Sequence, residues 1–341
     1  MKKITFLFVV TLFLISCKSK KEVVKKKTVD TATIYANTIT TDDVEDYVFT
    51  LASDKFEGRA TGEIGQKYAA KYLANKYSNF GVKKYSNDSY YQTIPISALT
   101  NKKRGYTPKN PSENVIAYIE GTEKPDEVLV ISSHYDHMGI KDDKIYYGAD
   151  DNASGTTAVL EISQAFAKAK KEGHGPKRSI MFINFTGEER GLLGSKYFAS
   201  NPVVPMENIV ANLNIDMIGR IGNEHPNDEN YVYVIGADRL STELHNINEK
   251  ANEKYTKMDL DYTYNEDDDP NRFYFRSDHY NFAKNRIPII FYFNGVHADY
   301  HKPTDTPDKI NLELLVKRAK LVFYTAWEIA NREERLIVDV E

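Results

Sequence analysis

The sequence predicts an α/β protein, a three-layer arrangement in which a largely parallel, mixed sheet lies between helices. Short apolar runs alternate with helical patterns through the middle of the chain, which is typical of parallel sheets. One run, residues 179–185, is apolar on both faces, as expected for a central strand. The chain has 341 residues, of which 41% are hydrophobic, and this is enough for a large core.

The N-terminus has the pattern of a targeting segment. Two lysines precede an apolar run of 12 residues (4–15), which is too short to cross a bilayer and fits a signal peptide. The sequence Leu14-Ile15-Ser16-Cys17 then resembles the bacterial lipobox, which is cut before its cysteine. We expect a lipoprotein signal peptide over residues 1–16 and a lipid anchor at Cys17; the alternative is an ordinary secretion signal with an incidental cysteine. The anchor would place the protein in the cell envelope, in the periplasm or at the outer membrane.

Residues 17–38 are predicted to form a basic, flexible tether. Residues 1–27 carry eight lysines and one glutamate, a net charge of +7, whereas the whole chain carries −4, so that the remainder carries about −11. An acidic body argues against nucleic acid as a partner. Cys17 is the only cysteine, which excludes a disulfide within the chain. The sequence leaves the oligomeric state open.

The first elements of the body are two helices at 40–51 and 64–77, where apolar side chains recur at helical spacing. Strands are expected near 91–96, 114–119 and 128–133, and the last of them leads into His134. The helix at 153–171 is indicated by an apolar stripe, and a lysine-rich last turn before Gly173 ends it.

The second half continues the alternation of strands and helices. Further strands are predicted at 179–185, 210–215, 231–235 and 289–293, and further helices at 192–199, 240–255, 278–283 and 311–332. The acidic loop 265–271 is interpreted as a solvated turn. Residues 39–341 are therefore expected to form one domain.

Ionisable side chains gather directly after the predicted strands. His134, Glu188 and Asp216 each follow a strand, and Asp150-Asp151 lies in a glycine-bounded turn that leads into a helix. Ligands of open α/β sheets bind beyond the carboxyl ends of the strands. Imidazole and carboxylate groups at this edge are the donors that a zinc site needs.

Taken together, these clusters resemble the M28 family of zinc peptidases, the aminopeptidase type with two zinc ions. The matching segments, in chain order, are Phe56–Arg59, Ser133–His137, Ala149–Gly155, Glu188–Ser195, Asn214–Met217 and Tyr300–Thr306. The resemblance runs from about Asp42 through the final helix. Each cluster alone has an ordinary structural explanation, whereas six in the order and spacing of the family do not.

The resemblance implies five metal ligands. His134 and Asp216 would hold one zinc, Glu189 and His301 would hold the other, and Asp151 would bridge the two ions.

The resemblance also implies roles for three residues beside the metals. Glu188 would be the general base and would touch neither ion. Asp136 would hydrogen-bond the ring of His134 and fix its tautomer. Tyr300 matches a residue that helps to stabilise the oxyanion in some members of the family.

Other residues are left without a role at this point. His137, His279 and His297 are interpreted as satisfied structural residues, and His174, His225 and His245 as surface residues. The group that would receive a substrate's free ammonium stays open among Glu188, Asp216 and the loop around Asp267.

The function implied is that of an exopeptidase that releases N-terminal residues from peptides. Glutaminyl cyclases share the scaffold but use one zinc, and they remain an alternative. A related carboxypeptidase family inserts a domain before its last histidine; only 84 residues separate Asp216 from His301, and they are filled by core-like elements. An inactive surface binding protein would be expected to lack ligands or the base, and none is missing here.

Overall fold

The computed structural model describes Lys3, residues 30–85 and residues 89–340. The predicted signal peptide, except for Lys3, and the predicted anchor Cys17 lie outside the described residues. The strands are β1 (Lys83–Lys84), β2 (Tyr91–Ile94), β3 (Ser112–Ile119), β4 (Lys124–His134), β5 (Gly139–Lys141), β6 (Lys144–Tyr146), β7 (Arg178–Phe185), β8 (Ile209–Ile215), β9 (Tyr231–Ile235), β10 (Asp259–Asp261) and β11 (Ile289–Phe293). The helices are α1 (Thr31–Ala36), α2 (Thr41–Leu51), α3 (Ile64–Phe80), α4 (Ile96–Leu99), α5 (Gly155–Lys171), α6 (Leu193–Ser200), α7 (Thr242–Ala251), α8 (Tyr280–Ala283) and α9 (Leu312–Asn331). Among these residues no helix combines the length and hydropathy that a bilayer span requires.

The main sheet has nine strands in the order β1–β3–β7–β4–β8–β11–β9–β10, and β2 also pairs with β3. Its centre, β7–β4–β8–β11, is parallel throughout. Antiparallel pairs join β3 to β7 on one side and β9 to β11 on the other. The mixed, centrally parallel sheet confirms the predicted fold class, and it brings the carboxyl ends of four strands to one edge.

Alternating side chains of the central strands enter two different cores. In β4, Leu129 and Ile131 belong to the larger core, which includes residues of α3, α5 and α9. Val128 and Val130 face the smaller core on the other side, together with Phe198 of α6. Side chains of a strand point alternately to opposite faces, so both faces of this sheet are covered.

Helix α1 corrects the predicted boundary of the tether. Residues 30–38 were expected to belong to a flexible segment, but residues 31–36 are helical and Asp30 caps their N-terminus. Tyr35 is buried and stacks on Trp327 of α9, with 5.8 Å between the ring centroids. Tyr35 and its alanine neighbours pack against α9, a helix that is distant in sequence. The composition of residues 17–38 does not indicate such a contact.

The hairpin β5–β6 is a second element that the sequence pattern did not predict. Asp142 and Asp143 form its turn, and both have positive φ angles, 50° and 58°. Two-residue hairpin turns require such angles and usually use Asn-Gly or Asp-Gly. An Asp-Asp pair is therefore a weak hairpin signal in a sequence. This hairpin lies beside the candidate site, between His137 and Gly148.

Candidate metal centre

Three of the predicted donors come directly from the ends of the parallel strands. His134 is the last residue of β4, Asp216 follows β8 and Glu189 lies in the turn after β7. All three are buried. The fold thus brings together side chains that are far apart in sequence, at the edge where the sequence predicted a site.

The turn that carries Asp151 is shaped by a glycine. Gly148 has a φ of 54°, and a Cβ there would lie 2.1 Å from the carbonyl oxygen of Asp151 and 2.5 Å from Cγ of His137. Any other residue at position 148 would push these two groups apart. The amides of Asp150 and Asp151 both donate to the carboxylate of Asp305, which fixes the turn from its other side.

The first group of donors consists of His134, Asp151 and Asp216. Nε2 of His134 lies 3.1 Å from Oδ1 of Asp216 and 3.3 Å from Oδ1 of Asp151. Donor atoms of a tetrahedral zinc ion are about 3.3 Å apart, given metal–ligand distances of about 2.0–2.2 Å. The spacing therefore fits one cation at the centre of this group.

The second group uses the other oxygen of the same aspartate. Nε2 of His301 lies 3.0 Å from Oδ2 of Asp151 and 3.3 Å from Oε2 of Glu189. Oδ1 of Asp151 thus faces the first group of donors, and Oδ2 faces the second. A bridging ligand between two cations needs this arrangement.

His137 also lies at the second group, where the sequence analysis had left it without a role. Its Nδ1 is 2.7 Å from Oε1 of Glu189 and 3.8 Å from Oδ2 of Asp151. The short contact with Oε1 of Glu189 lacks hydrogen-bond geometry, so that this oxygen and both ring nitrogens of His137 are buried without a hydrogen-bond partner. Buried polar atoms without partners are costly, and a cation would satisfy them. Donor atoms of His137, Asp151 and Glu189 all lie within 4.8 Å of one another, so the residues present fit a second metal ion.

Neighbouring hydrogen bonds hold the donors in place. Oγ of Ser277 donates to Oδ2 of Asp216 at 2.7 Å, which leaves Oδ1 turned toward His134.

Asp136 accepts from Thr61 and from the amide of Glu188. Its contact with His134 differs from the expected one: Nδ1 lies 3.1 Å from the backbone carbonyl of Asp136 but 3.8 Å from its carboxylate. The ring of His134 is oriented by the main chain, while the carboxylate ties the turn of Glu188 to the site.

Glu188 lies beside the first group without belonging to it. Its Oε2 is 3.9 Å from Nε2 of His134, too far for a shared hydrogen bond. Burial raises the pKa of the Glu188 carboxyl well above its ordinary value, the nearby His134 lowers it, and the charges of Asp216 and Glu189 raise it further. A carboxyl group with a raised pKa next to a metal site is suited to carry a proton.

Tyr300 stacks on the ring of His301, with 3.9 Å between the centroids. Burial raises the pKa of its phenol, and the negative charges of Asp151 and Glu189 raise it further. The phenol therefore keeps its proton near neutral pH and can act as a hydrogen-bond donor. Arg276 lies 3.4 Å from the same oxygen.

The other histidines have ordinary structural partners. Nε2 of His279 contacts the carbonyl of Tyr274, and burial lowers the pKa of His279 to about 3. His297 contacts Asp150 at 3.1 Å, and Asp150 accepts from the amide of Gly219. His297 thus braces the turn before α5, and neither histidine belongs to a donor group.

Arg59 is a residue of the site that sequence reasoning did not single out. Its side chain is buried, and it donates to four backbone carbonyls, those of Leu51, Tyr135, Tyr147 and Gly148. Tyr135 follows His134, and Gly148 opens the turn of Asp151. Arg59 therefore joins the two loops that carry the first donor group.

The donors open into a cavity of about 400 Å³. Its apolar wall consists of Met217, Phe273, Phe291 and Phe293, and Arg104 and Met138 lie on its lining as well. The acidic loop does not line this cavity; Asp267 is almost fully exposed and pairs with Arg239 at 2.9 Å. A space of this size accommodates a few amino-acid residues.

Comparison with known proteins places these features in context. A sequence model described as Peptidase family M28 matches residues 114–326. The chain is 38% identical over 105 residues to a probable glutamate carboxypeptidase LAMP1 of Arabidopsis thaliana, covering 30% of this chain and 14% of that protein. It is 29% identical over 274 residues to a probable leucine aminopeptidase of Arthroderma otae, covering 75% of this chain and 71% of that protein. Several further curated relatives, described as probable zinc metalloproteases, are matched over about a quarter of their own length.

Solved structures show the same fold. The LapA aminopeptidase of Legionella pneumophila superposes with a TM-score of 0.69 at 24% sequence identity. The superposition covers 98% of this chain and 81% of that protein. Since the identity is low, this likeness concerns the architecture alone.

Proposed function

Because the chain belongs to peptidase family M28, we propose that it is a zinc-dependent exopeptidase that removes N-terminal residues from peptides. The observation that carries this proposal is the carboxylate of Asp151, one oxygen of which faces His134 while the other faces His301. Two cations held on one carboxylate would lie beside Glu188, the residue proposed to handle the proton.

In this proposal the five ligands divide as the family resemblance implies. His134 and Asp216 hold one zinc, Glu189 and His301 hold the other, and Asp151 contacts both. Zinc in these positions would supply a Lewis acid for the scissile carbonyl and would acidify a water molecule. Nδ1 of His137 lies 2.7 Å from Oε1 of Glu189, and Nε2 of His301 lies 3.3 Å from its Oε2, so that each oxygen of this carboxylate has a histidine beside it.

Glu188 is the group that moves the proton. Its carboxylate accepts a proton from the attacking water and returns it to the nitrogen of the leaving amine. The bond from its amide to Asp136 fixes the backbone at this point, and the carboxyl lines the cavity in which the substrate would bind. The raised pKa favours retention of the proton between the two transfers.

Two further features are proposed to orient the substrate. The phenol of Tyr300, which keeps its proton, donates a hydrogen bond to the oxygen on which negative charge develops. The wall formed by Met217, Phe273, Phe291 and Phe293 takes the side chain of the first residue. Asp216 and Glu188 line the same cavity as this wall, and we propose that one of them receives the free ammonium.

The alternative of a cyclase with one zinc is less well supported. Two groups of donors share Asp151, and the second group contains buried atoms without partners. A site for a single ion would leave these atoms unsatisfied. The arrangement of the donors therefore favours the peptidase with two ions.

Metal analysis combined with a peptide panel tests the proposal. We expect about two zinc ions per chain, release of the first residue from peptides with a free N-terminus, and no cleavage of the same peptides after N-acetylation. Cyclisation of peptides that begin with glutamine, with one zinc per chain, would instead support the cyclase. Zinc binding without turnover of any peptide would indicate an inactive binding protein.

We further propose that the enzyme is attached to the cell envelope through a lipid on Cys17. The proposal is supported by the order of a basic start, a short apolar run and a single cysteine at its end. Asp30, at the start of the described segment 30–85, contacts Lys254 and Tyr255. Peptides in the periplasm or outside the cell would then be the substrates.

A further inference from the structure

Three cations surround the turn of Glu189 on one side of the candidate centre. They are Arg104, Lys141 and Arg190, and we call them the basic rim. Nη1 of Arg104 donates to the backbone carbonyl of Glu189 at 3.0 Å. The guanidinium of Arg190 lies 4.6 Å from the ring centroid of Tyr106, and the ammonium of Lys141 lies 5.1 Å from that of Tyr146.

No cation of the basic rim forms a direct ion pair with a described carboxylate. Within the described residues, none of the three cations has a carboxylate oxygen within 4.0 Å. Nε of Arg190 is buried and has no hydrogen-bond partner. Burial lowers the pKa of Lys141 and the positive charge of Arg190 lowers it further, whereas the charges of Glu189 and Asp142 raise it in part. An anion between these groups would relieve their repulsion.

The basic rim is continuous with the metal cavity. Arg104 and Met138 line the cavity itself. Met138 also lines a neighbouring depression of about 390 Å³, whose walls include Lys141 and Arg190. Two glutamates line this depression as well, and one of them, Glu63, pairs with Lys109. Met138 thus lies between the two spaces, and Arg104 is the cation of the rim that lines the metal cavity directly.

The sheet sets the distance between the basic rim and the apolar wall. The turn with Arg190 follows β7, whereas Phe291 and Phe293 belong to β11, which is three strands away in the order β7–β4–β8–β11. Three strand spacings amount to roughly 14 Å. The backbone of an extended peptide of two or three residues spans roughly 7–10 Å. The first side chain of the peptide and the side chains of the basic rim extend this reach at the two ends. A short peptide can therefore contact both walls at once.

We propose, on the basis of the function proposed above, that the basic rim binds the C-terminal carboxylate of short peptides, so that the preferred substrates are dipeptides and tripeptides. The first side chain occupies the apolar wall, the scissile bond lies at the metals, and the leaving portion extends toward the rim. Arginine forms paired hydrogen bonds with a carboxylate, and Lys141 adds a third positive charge.

The test compares peptides that differ only in the terminal carboxylate. We expect kcat/KM for Leu-Ala to exceed that for Leu-Ala-amide by at least about 10-fold, since hydrogen bonds to charged groups are stronger than those to neutral groups. The longer peptide Leu-Ala-Ala-Ala-Ala should be as poor as the amide. Leu-Asp-amide, which carries an acidic side chain but no terminal carboxylate, should also be poor.

Variants assign the preference to the rim. In R190Q and in K141Q the ratio of kcat/KM for Leu-Ala to that for Leu-Ala-amide should fall at least about 5-fold, with zinc content unchanged. The control K171Q removes one positive charge at the far end of α5, about 24 Å from its first turn, and should keep the wild-type ratio. K141Q changes an exposed hairpin, so it remains informative if R190Q does not fold.

Several outcomes would overturn the proposal. Equal use of Leu-Ala and its amide would do so while leaving the exopeptidase function intact. Efficient cleavage of Leu-Asp-amide would assign the rim to acidic side chains instead of the C-terminus. Failure to cleave any of the peptides would contradict the exopeptidase function itself.

Discussion

Nη2 of Arg59 donates a hydrogen bond to the backbone carbonyl of Gly148 at 2.8 Å, across 89 positions of the sequence. The same side chain reaches the carbonyl of Tyr135, so one guanidinium connects the loop of His134 to the turn of Asp151. Desolvation lowers the pKa of Arg59 to about 10, which still leaves it charged at neutral pH. The geometry of the candidate centre thus depends on a residue that does not touch it.

Replacement of Arg59 by lysine should destabilise the protein and weaken zinc binding. Lysine cannot reach all four carbonyls, and buried acceptors without donors are costly, so we expect the free energy of unfolding to fall by on the order of 3 kcal/mol. Urea denaturation and zinc titration measure the two effects. The control is R272K, because Arg272 is exposed and has nearly the same φ, 55° against 54° for Arg59. If R272K lowered the stability as much as R59K, the loss would come from the lysine at a positive φ angle and not from the hydrogen bonds of Arg59.

Glu188→Gln should abolish peptide hydrolysis without removing zinc. The amide cannot accept a proton from water, and loss of general-base catalysis typically lowers kcat by about 100- to 10,000-fold. Stopped assays give the rate, and metal analysis of the same sample gives the stoichiometry. The neighbouring change Glu189→Gln should lower zinc content as well as rate. Normal turnover in E188Q would remove Glu188 from the proton-transfer role.

Asp151→Asn should weaken both zinc sites together. The substitution removes the charge that both donor groups share, and we expect each site to lose about 10- to 100-fold in affinity. Equilibrium dialysis against buffered zinc resolves the two steps. Asp216→Asn should weaken only the site that contains His134. Retention of two tightly bound zinc ions in D151N would contradict bridging.

Glu161 in α5 predicts a pH dependence of stability that is independent of the metals. Burial raises its pKa to about 8, and the charge of Asp43 also raises it. The folded chain therefore binds a proton that the unfolded chain has released, and the free energy of unfolding should fall as the pH rises from about 4.5 to 8. E161Q mimics the protonated form, so its stability relative to the wild type should rise over this range by on the order of 4–5 kcal/mol.

Urea midpoints at pH 5 and pH 8 measure this effect, provided that the slope of unfolding against urea stays constant. The exposed residue Glu45 in α2 supplies the control E45Q, which should show no such trend. A constant difference between E161Q and the wild type across the range would mean that Glu161 is ionised in the folded protein.

Cys17→Ser should release the protein from membranes. The proposed lipid is attached to this sulfur, and the described residues contain no helix that could span a bilayer in its place. Cell fractionation followed by detection of the chain measures the distribution. Lys18→Gln, which leaves the cysteine intact, should remain in the membrane fraction. Membrane retention of C17S would eliminate the lipid anchor.

Much of the fold and of the donor set could be predicted from the sequence because both depend on local patterns. The apolar run at 179–185 is β7, and His134 and Asp216 stand at strand ends as their positions predicted. The parallel centre of the sheet then brings them together.

Contacts between distant residues could not be predicted in this way. Arg59 hydrogen-bonds to loops that lie some 80 residues further on, and Asp305 accepts from the amide of Asp151 across 154 positions. Helix α1 depends on Tyr35 meeting Trp327. His137 could have been noticed from its place in the cluster Ser133–His137, but its burial against Glu189 is a tertiary feature. Sequence periodicity predicts where helices and strands lie, but it says little about which side chains of different elements are in contact.

The donors of the candidate centre are spread along the chain from His134 to His301. A polypeptide that is made from its N-terminus therefore has no complete cage for cations until β11 and the loop beyond it have been synthesised. Nascent or truncated chains would carry many of the same acidic and imidazole groups and yet remain inert. The capacity to hold both cations therefore appears only after the chain has been extended past His301.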